Sequence, residues 1–301
     1  MTKKLPRYPV YIPSKGRAAT PLTIRALERD GVPFFVVVET QEQSAYESVA
    51  GRERVLVLPF SNLGLGSIPA RNWIKDHATA AGAERHWQLD DNIEYFRRLW
   101  RGKRIECSAS VALRVVEDFS DRYSNVAVAG LNYTMFVFPS GKKGIPPFFL
   151  NVHVYSCTLV SNATPHRWRG RYNEDTDYCL QVLADGWCTV LVNAFQCHKI
   201  ATMVLKGGNT TDLYQGDGRL RMARALERAW PGVVATGRRF KRPQHVVRGA
   251  WRKFDTPLKL RPGVDLSGLP KVDDYGLSLR AVKPVRSAEL RALLGVMPPK
   301  T

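Results

Sequence analysis

Two adjacent carboxylates and an amide end the apolar segment His86–Asn92, which reads HWQLDDN. Paired acids at a strand end repel each other unless a cation lies between them, and a divalent metal with oxygen ligands is the usual solution. Asp90 and Asp91 therefore predict a metal site. For such a pair taken alone, a solvated strand-to-loop junction with helix-capping aspartates is the competing explanation.

A second carboxylate cluster follows at Asn173–Asp177, at the start of a helical pattern that continues to about Asp185. Acids at a helix N-terminus ordinarily cap the helix and interact with its dipole, which contributes up to about 1 kcal/mol. This ordinary role and a chemical role both remain open for Glu174 and Asp177.

The elements that must position these acids alternate between short apolar strands and helices. Strands are predicted at Tyr8–Ile12, Pro33–Glu39, Arg54–Leu58, Val126–Leu131, within Phe148–Val160 and at Cys188–Val192, with helices between several of them. This alternation favours a parallel α/β sheet, in which ligands bind beyond the carboxyl ends of the strands. Ser14–Arg17, Glu39 and Asp90–Asn92 all fall at such ends, so we expect a ligand pocket there.

Composition adds a preference for an anionic partner. The 301 residues carry a formal net charge of +18, and most of the excess follows residue 200. Such asymmetry indicates nucleic acid or an anionic membrane surface, although a basic and merely soluble surface is the simpler alternative. The five cysteines show no C-x-x-C spacing, and no segment is apolar enough to span a bilayer. We therefore expect a cytoplasmic, soluble protein without a transmembrane segment.

The composition of the sequence also changes near Thr236. Beyond it, basic residues alternate with Phe240, Trp251 and Phe254, a composition suited to phosphate contacts with occasional stacking. This predicts a main domain at residues 1–236 and a basic C-terminal extension at residues 237–301 that binds the acceptor.

The order of the motifs resembles that of a known family. IPSKGR at residues 12–17, Glu39, PARNWIKDHATAAG before HWQLDDN, and RYNEDTDYCLQVLADGWCTVLVNAFQCH at residues 171–198 resemble the family-2-like nucleotide-sugar glycosyltransferases of the GT-A fold. The basic extension, with KGGNTTDLY at residues 206–214 and RRFKRPQHVVRGAW at residues 238–251, more narrowly resembles the TET-associated glycosyltransferases of bacteriophages. Those enzymes are taken to add sugars to 5-hydroxymethylpyrimidines in DNA. The implied fold is α/β, a GT-A-like nucleotide-diphospho-sugar transferase with a mixed, mostly parallel sheet flanked by helices.

The resemblance implies a role for the first acidic pair in metal binding. Asp91 becomes the principal ligand of Mn²⁺ or Mg²⁺, and Asp90 assists through the ribose or a metal-bound water. His198 is the candidate second protein ligand, since imidazole suits Mn²⁺ better than Mg²⁺, although a lone histidine after a strand is more often structural. Asn92 stands where many relatives carry another acid, which leaves the ligand set open.

The remaining roles concern the donor and the proton. Asp175, with Glu174 and Asp177 beside it, occupies the family's general-base position, which implies an inverting displacement. A UDP-sugar is the expected donor. Its implied contacts are Pro13, Ser14, Lys15 and Arg17 on the base and ribose, Glu39 on the base or ribose, Arg71 on the diphosphate, and the Gly-rich loop Lys206, Gly207 and Gly208. Arg71 as a surface cation and the glycine loop as a simple turn are the alternatives.

These observations predict a metal-dependent glycosyltransferase that acts on double-stranded DNA carrying hydroxymethylated pyrimidines. Three alternatives remain open: transfer to cell-envelope or protein acceptors, a non-catalytic DNA-binding protein on a degenerate scaffold, and, less favoured, a nucleotidyltransferase. The sequence does not choose between groove access and extrusion of the acceptor base.

Overall fold

The computed structural model describes residues 4–138, 145–200, 217–239, 242–251 and 253–277. Its strands are β1 Val10–Pro13, β2 Phe35–Val38, β3 Val55–Val57, β4 Arg85–Leu89, β5 Ile93–Trp100, β6 Lys103–Cys107, β7 Val126–Tyr133, β8 Phe148–Leu150, β9 Cys157–Ser161, β10 Cys188–Lys199, β11 Val234–Arg239 and β12 Arg242–Val247. Its α-helices are α1 Leu22–Asp30, α2 Gln43–Ala50, α3 Ile68–Ala80, α4 Ala109–Ser120, α5 Glu174–Ala184 and α6 Gly218–Ala229.

A ten-stranded mixed sheet forms the centre of the described chain, in the order β3-β2-β1-β4-β9-β7-β10-β5-β6, with β8 alongside β10. Strands β1, β2, β3, β4, β6, β7 and β10 run in one direction, and β5, β8 and β9 run in the other. The central strands β4 and β9 are buried along their whole length, as expected for strands covered on both faces, although β4 includes the polar residues Arg85, His86 and Gln88. The predicted mixed, mostly parallel α/β sheet flanked by helices is confirmed.

Helices cover both faces of this sheet. On one face, Ile24 of α1 and Leu113 of α4 pack in the same buried cluster as Val36 of β2. On the other face, Ile74 of α3 packs with Val37 of the same strand. Neighbouring residues of a strand point to opposite faces, so the apolar run of β2 supplies both layers. This sandwich aligns the carboxyl ends of β1 and β4 at one edge.

Two of the differences from the sequence prediction carry residues to that edge. Strand β10 continues to Lys199 because it pairs with β7 on one side and with β5 on the other, with register irregularities in both pairings. The region predicted as strand from residue 148 to residue 160 is interrupted between β8 and β9. Asn151 and Ser156 bound this interruption with positive φ values of 56° and 59°.

The C-terminal basic segment packs against the main sheet. Strands β11 and β12 form a hairpin, so a boundary after Thr236 would fall inside β11. Further on, Leu260 forms a bridge with Tyr123, and the Pro257 carbonyl accepts from Asn125 Nδ2 at 2.9 Å. Among the described residues, no helix has the length and apolar character that crossing a membrane requires.

Candidate active site

The loop after β1 binds Asp91 through two side chains. Ser14 Oγ donates to Asp91 Oδ2 at 2.6 Å, and the Arg17 guanidinium forms an ion pair with Asp91 Oδ1. Tyr46 Oη lies 2.6 Å from Ser14 Oγ and accepts from the Arg17 backbone N–H at 3.1 Å, which fixes the loop from α2. Because β1 and β4 are parallel neighbours, the predicted donor loop and the predicted metal ligand meet at their carboxyl ends.

Asp90 is bound by two cations and a hydroxyl group. Arg71 Nη2 donates to Oδ1 at 2.9 Å, while Lys199 Nζ and Ser156 Oγ donate to Oδ2 at 2.8 and 2.7 Å. The Ser156 carbonyl also accepts from the Asp90 backbone N–H at 2.7 Å. Ser156 therefore holds Asp90 through both backbone and side chain, and does so from the left-handed conformation that costs a non-glycine residue about 1–3 kcal/mol.

The pKa values of these neighbouring acids shift in opposite directions. Burial would raise the pKa of Asp90, but Lys199 and Arg71 outweigh burial and lower the pKa to about 2. Burial raises the pKa of Asp91, and its partners Arg17 and Ser14 do not cancel this effect. The difference follows from the number of cations at each carboxylate. Asp90 is therefore the more acidic of the two carboxyl groups.

Arg71 connects this pair to the second acidic cluster. Its Nε lies 3.6 Å from Glu174 Oε1, while its Nη2 is bonded to Asp90. Ser67 Oγ donates to the same Glu174 oxygen at 2.8 Å. Arg71 is only 7% exposed, and nearby carboxylates raise its pKa although burial opposes them. The surface-cation alternative for Arg71 is therefore excluded, and the two clusters share one site.

Asp175 lies next to this bridge and pairs with a histidine that the sequence prediction missed. His153 Nε2 is 3.2 Å from Asp175 Oδ2, and the Thr176 backbone N–H donates to Asp175 Oδ1 at 2.7 Å. Burial would raise the pKa of Asp175, but His153 and the Thr176 N–H lower it. The His153 ring stacks on Trp251, with centroids 6.3 Å apart, so the C-terminal segment reaches this part of the site.

Asp177 faces a different environment. It is 3% exposed and accepts from Arg169 Nε at 2.9 Å, Gln181 Nε2 at 2.7 Å and Trp230 Nε1 at 2.6 Å. These contacts tie α5 to the segment that follows α6. The structure thus brings Glu174 and Asp175 to the site but gives Asp177 structural partners.

The rest of the predicted donor surface lies one strand further out. Lys15 Nζ donates to Glu39 Oε2 at 2.8 Å and to Asn62 Oδ1 at 2.9 Å, and the Asn62 backbone N–H donates to Glu39 Oε1 at 3.1 Å. Burial opposes ionisation of Glu39, but the Lys15 hydrogen bond leads the contacts that lower its pKa. Pro13 ends β1 beside Val37, which places the Ser14–Arg17 loop between Glu39 and Asp91.

Residues 8–208 match the sequence family described as TET-Associated Glycosyltransferase. The chain belongs to this family. The match spans every element that builds the site as far as Lys199, and the protein is accordingly a glycosyltransferase.

The other comparisons are more distant. No curated protein matches the glycosyltransferase. Among solved structures, it is similar to a candidate nucleotide-diphospho-sugar transferase from Desulfovibrio desulfuricans G20, with a TM-score of 0.35 and 8% identity over 62% of this chain and 80% of that chain. This likeness is too weak to bear on the activity.

The predicted metal ligands of the glycosyltransferase do not gather at one point. His198 Nε2 lies 3.4 Å from Glu94 Oε2, and its ring stacks on Tyr95 with centroids 4.4 Å apart. Within the described ranges, no group of three or more His, Cys, Asp or Glu side chains is placed to hold a metal ion.

The adjacent carboxylates nevertheless fit one kind of metal site. Mg²⁺ is commonly held by one or two protein carboxylates together with substrate phosphates, and Asp90 and Asp91 supply that oxygen set. An ion at Asp91 would have to displace Arg17, which occupies Oδ1.

Several site residues were not predicted from the sequence. Lys199, His153 and Ser156 contact the predicted acids, yet each depends on an element that the sequence prediction placed imprecisely. Lys199 could have been considered as an alternative to His198. The two residues are neighbours in the chain, and adjacent strand residues face opposite sides, so only one of them can face the site. The predicted phosphate loop Lys206, Gly207 and Gly208 lies outside the described residues.

Proposed function

We propose that this glycosyltransferase moves a sugar from a nucleoside-diphosphate donor, with a UDP-sugar as the expected case, to the hydroxyl group of a 5-hydroxymethylpyrimidine in DNA. The observation that carries the proposal is the Arg71 bridge, which joins Asp90 and Glu174 within a chain of this family. The family's association with TET and the net charge of +18 support a DNA acceptor.

The donor half of the reaction requires positive charge at the leaving group. As the bond between the anomeric carbon and the diphosphate oxygen breaks, negative charge grows on the diphosphate. Arg71 and Lys199 lie at Asp90, and Arg17 lies at Asp91, so three cations of this chain can stabilise that charge. Mg²⁺ or Mn²⁺ held by Asp91 and Asp90 would supply further Lewis-acid stabilisation when bound with the donor.

The acceptor half requires a proton acceptor. A hydroxyl group has a pKa far above neutrality, so its attack on the anomeric carbon needs a base as the new bond forms. Asp175 is the proposed base, because its carboxylate is ionised and lies beside the Arg71 bridge. The acceptor oxygen forms the new glycosidic bond, its proton passes to Asp175, and the diphosphate leaves with the electron pair of the broken bond. A single displacement of this kind inverts the anomeric configuration.

The setting proposed for this activity is the cytoplasm. All five cysteines are free thiols, and most of them are buried. Free thiols are typical of a reducing compartment.

An acceptor panel tests the proposal. Purified protein is supplied with labelled UDP-sugars, Mn²⁺, and either hydroxymethylated DNA, unmodified DNA, a lipid acceptor or a protein acceptor. We expect label on hydroxymethylated DNA alone. Label on lipid or protein alone would refute the DNA acceptor, and DNA binding with no transfer or donor hydrolysis would favour a non-catalytic protein.

A further inference from the structure

The hairpin formed by β5 and β6 presents a basic surface at one edge of the sheet. Arg101 in its turn and Lys103 at the start of β6 are both exposed, and β6 is the last strand on this side of the sheet among the described residues. The guanidinium carbons of Arg98 and Arg101 lie 4.6 and 5.6 Å from the Trp100 ring centroid. The ring thus orders cations next to it, at a position far in sequence from the basic C-terminal segment.

An exposed apolar segment lies against this hairpin. Met135, Phe136 and Phe138 are 47%, 40% and 49% exposed, an unusual density of large apolar side chains on a surface. Arg104 of β6 donates to the intervening Val137 carbonyl from Nε at 2.9 Å and Nη2 at 2.6 Å. The hairpin and this segment therefore form one continuous surface, which we call the 97–138 surface and which comprises Arg101, Lys103, Arg104, Met135, Phe136 and Phe138.

The 97–138 surface leads directly to the site. The Phe136 ring lies 5.7 Å from the Tyr133 ring, and Tyr133 Oη is hydrogen-bonded to Ser156 Oγ. Ser156 in turn donates to Asp90 at 2.7 Å. Phe136 is thus separated from the predicted donor carboxylate by two side chains.

We propose that the 97–138 surface binds the acceptor DNA, with Arg101 and Lys103 on backbone phosphates and Phe136 stacked on a pyrimidine extruded from the duplex. This inference rests on the proposed function and adds how the DNA is held. Cations beside exposed aromatic rings suit a nucleic acid, because phosphates and base faces are satisfied together.

The phosphate contacts are tested by charge removal on the full-length protein. Binding of unmodified duplex DNA is measured by fluorescence anisotropy between 50 and about 200 mM salt for R101A/K103A. The matched control is R25A/R52A, which removes two exposed arginines, one of them just before the opposite edge strand β3. We expect the slope of log K against log salt to fall by about 1.8 for R101A/K103A and to stay unchanged for the control.

The stacking contact is tested with Phe136→Ala and Phe136→Tyr. Extrusion costs less from a mispaired site, so the native protein should bind a duplex with one mispaired pyrimidine more tightly than a paired one. We expect Phe136→Ala to lose this preference and to bind the mispaired duplex about tenfold more weakly, and Phe136→Tyr to keep both. Thermal unfolding, measured alongside, shows that each variant is folded, and donor hydrolysis should be unchanged in the R25A/R52A control.

The outcomes separate this inference from the proposed function. An unchanged salt slope for R101A/K103A, or an unchanged mismatch preference for Phe136→Ala, overturns the 97–138 surface while sugar transfer to DNA by the native protein stands. Binding of the native protein to anionic vesicles in place of DNA also overturns it. Failure of the native protein to modify hydroxymethylated DNA, with the DNA-binding differences intact, refutes the proposed acceptor alone.

Discussion

The donor side and the acceptor side of the site balance their charges differently. On the donor side, Asp90 and Asp91 face Arg17, Arg71 and Lys199, so the cations exceed the carboxylates. On the acceptor side, Glu174 lies 3.6 Å from Arg71 Nε, and Asp175 lies 3.2 Å from His153 Nε2. An excess of positive charge suits an anionic leaving group, whereas an ionised carboxylate beside an imidazole can accept a proton.

Asp175→Asn should separate the two sides most clearly. The amide keeps the size of the side chain but cannot accept the acceptor proton, and a general base contributes about 10²–10⁴-fold. We expect kcat for sugar transfer to fall by about that factor while the donor Kd, measured by calorimetry, remains unchanged.

The same substitution two residues along is the matched control. Asp177→Asn weakens the contacts with Arg169 and Trp230, so the free energy of unfolding should fall by about 1–3 kcal/mol with kcat little affected. If Asp177→Asn instead abolishes transfer in a folded protein and Asp175→Asn does not, the assignment of the base is reversed.

Lys199→Ala tests the cation excess of the donor side. The substitution leaves Asp90 with Arg71 as its remaining cation and removes one positive charge from the diphosphate position. We expect kcat/KM for the donor to fall roughly 10- to 100-fold, since hydrogen bonds to charged groups are worth about 1.5–3 kcal/mol. Steady-state kinetics at saturating DNA measure the change.

Lys75 offers a control for that lysine. Its Nζ is also buried, but it donates to the carbonyls of Thr164 and His166 at 2.6 and 2.8 Å and not to an acid of the site. Lys75→Ala should lower the unfolding temperature and leave the donor KM of the folded protein unchanged. Equal losses of donor affinity in both lysine variants would mean that the Lys199 effect is structural.

Arg17→Ala sharpens the question of the metal. The change frees Asp91 Oδ1, so an ion that binds with the donor no longer competes with the guanidinium. We expect the Mn²⁺ concentration for half-maximal activity to fall about fivefold, because the ion no longer has to break the Arg17–Asp91 ion pair, which contributes about 1 kcal/mol. Lys15→Ala, whose cation pairs with Glu39 instead, should not change it. An unchanged requirement in Arg17→Ala would argue against metal binding at Asp91.

His153→Gln should have the smallest effect, a displacement of the pH profile. His153 lowers the pKa of Asp175, so its loss raises that pKa and increases the protonated fraction of the base in mild acid. The acid limb of kcat against pH should therefore move to higher pH, by about one unit or less. His166→Gln, which affects the exposed pair with Asp185, should leave the limb in place. Movement of the acid limb to lower pH would contradict the effect assigned to the His153–Asp175 pair.

The sequence was most informative where local pattern decides position. Alternating apolar strands and helices force β1 and β4 to be parallel, and this alone brings Ser14 and Arg17 to Asp91. A helical wheel would have excluded Asp177 from the site, because residues two apart in a helix do not share a face. Asp175 faces the site while Asp177 faces Arg169 and Trp230.

Other positions depend on tertiary structure that the sequence pattern does not contain. His198 lies beside Glu94 and Tyr95 because β10 extends along the antiparallel strand β5. The apolar run Cys188–Val192 does not indicate this extension. The left-handed conformation of Ser156 could not be predicted from the sequence either, since few residues other than glycine indicate such a conformation.

The charged edge of the sheet has a consequence for solubility. Within the described part of the chain, strand β6 has one row of backbone groups without a neighbouring strand, and such rows favour pairing between molecules unless charges oppose it. Lys103, Arg104 and Glu106 lie on this strand, and their repulsion and hydration oppose the approach of a second sheet. Removing these charges should therefore promote self-association at high protein concentration, which sedimentation velocity would detect.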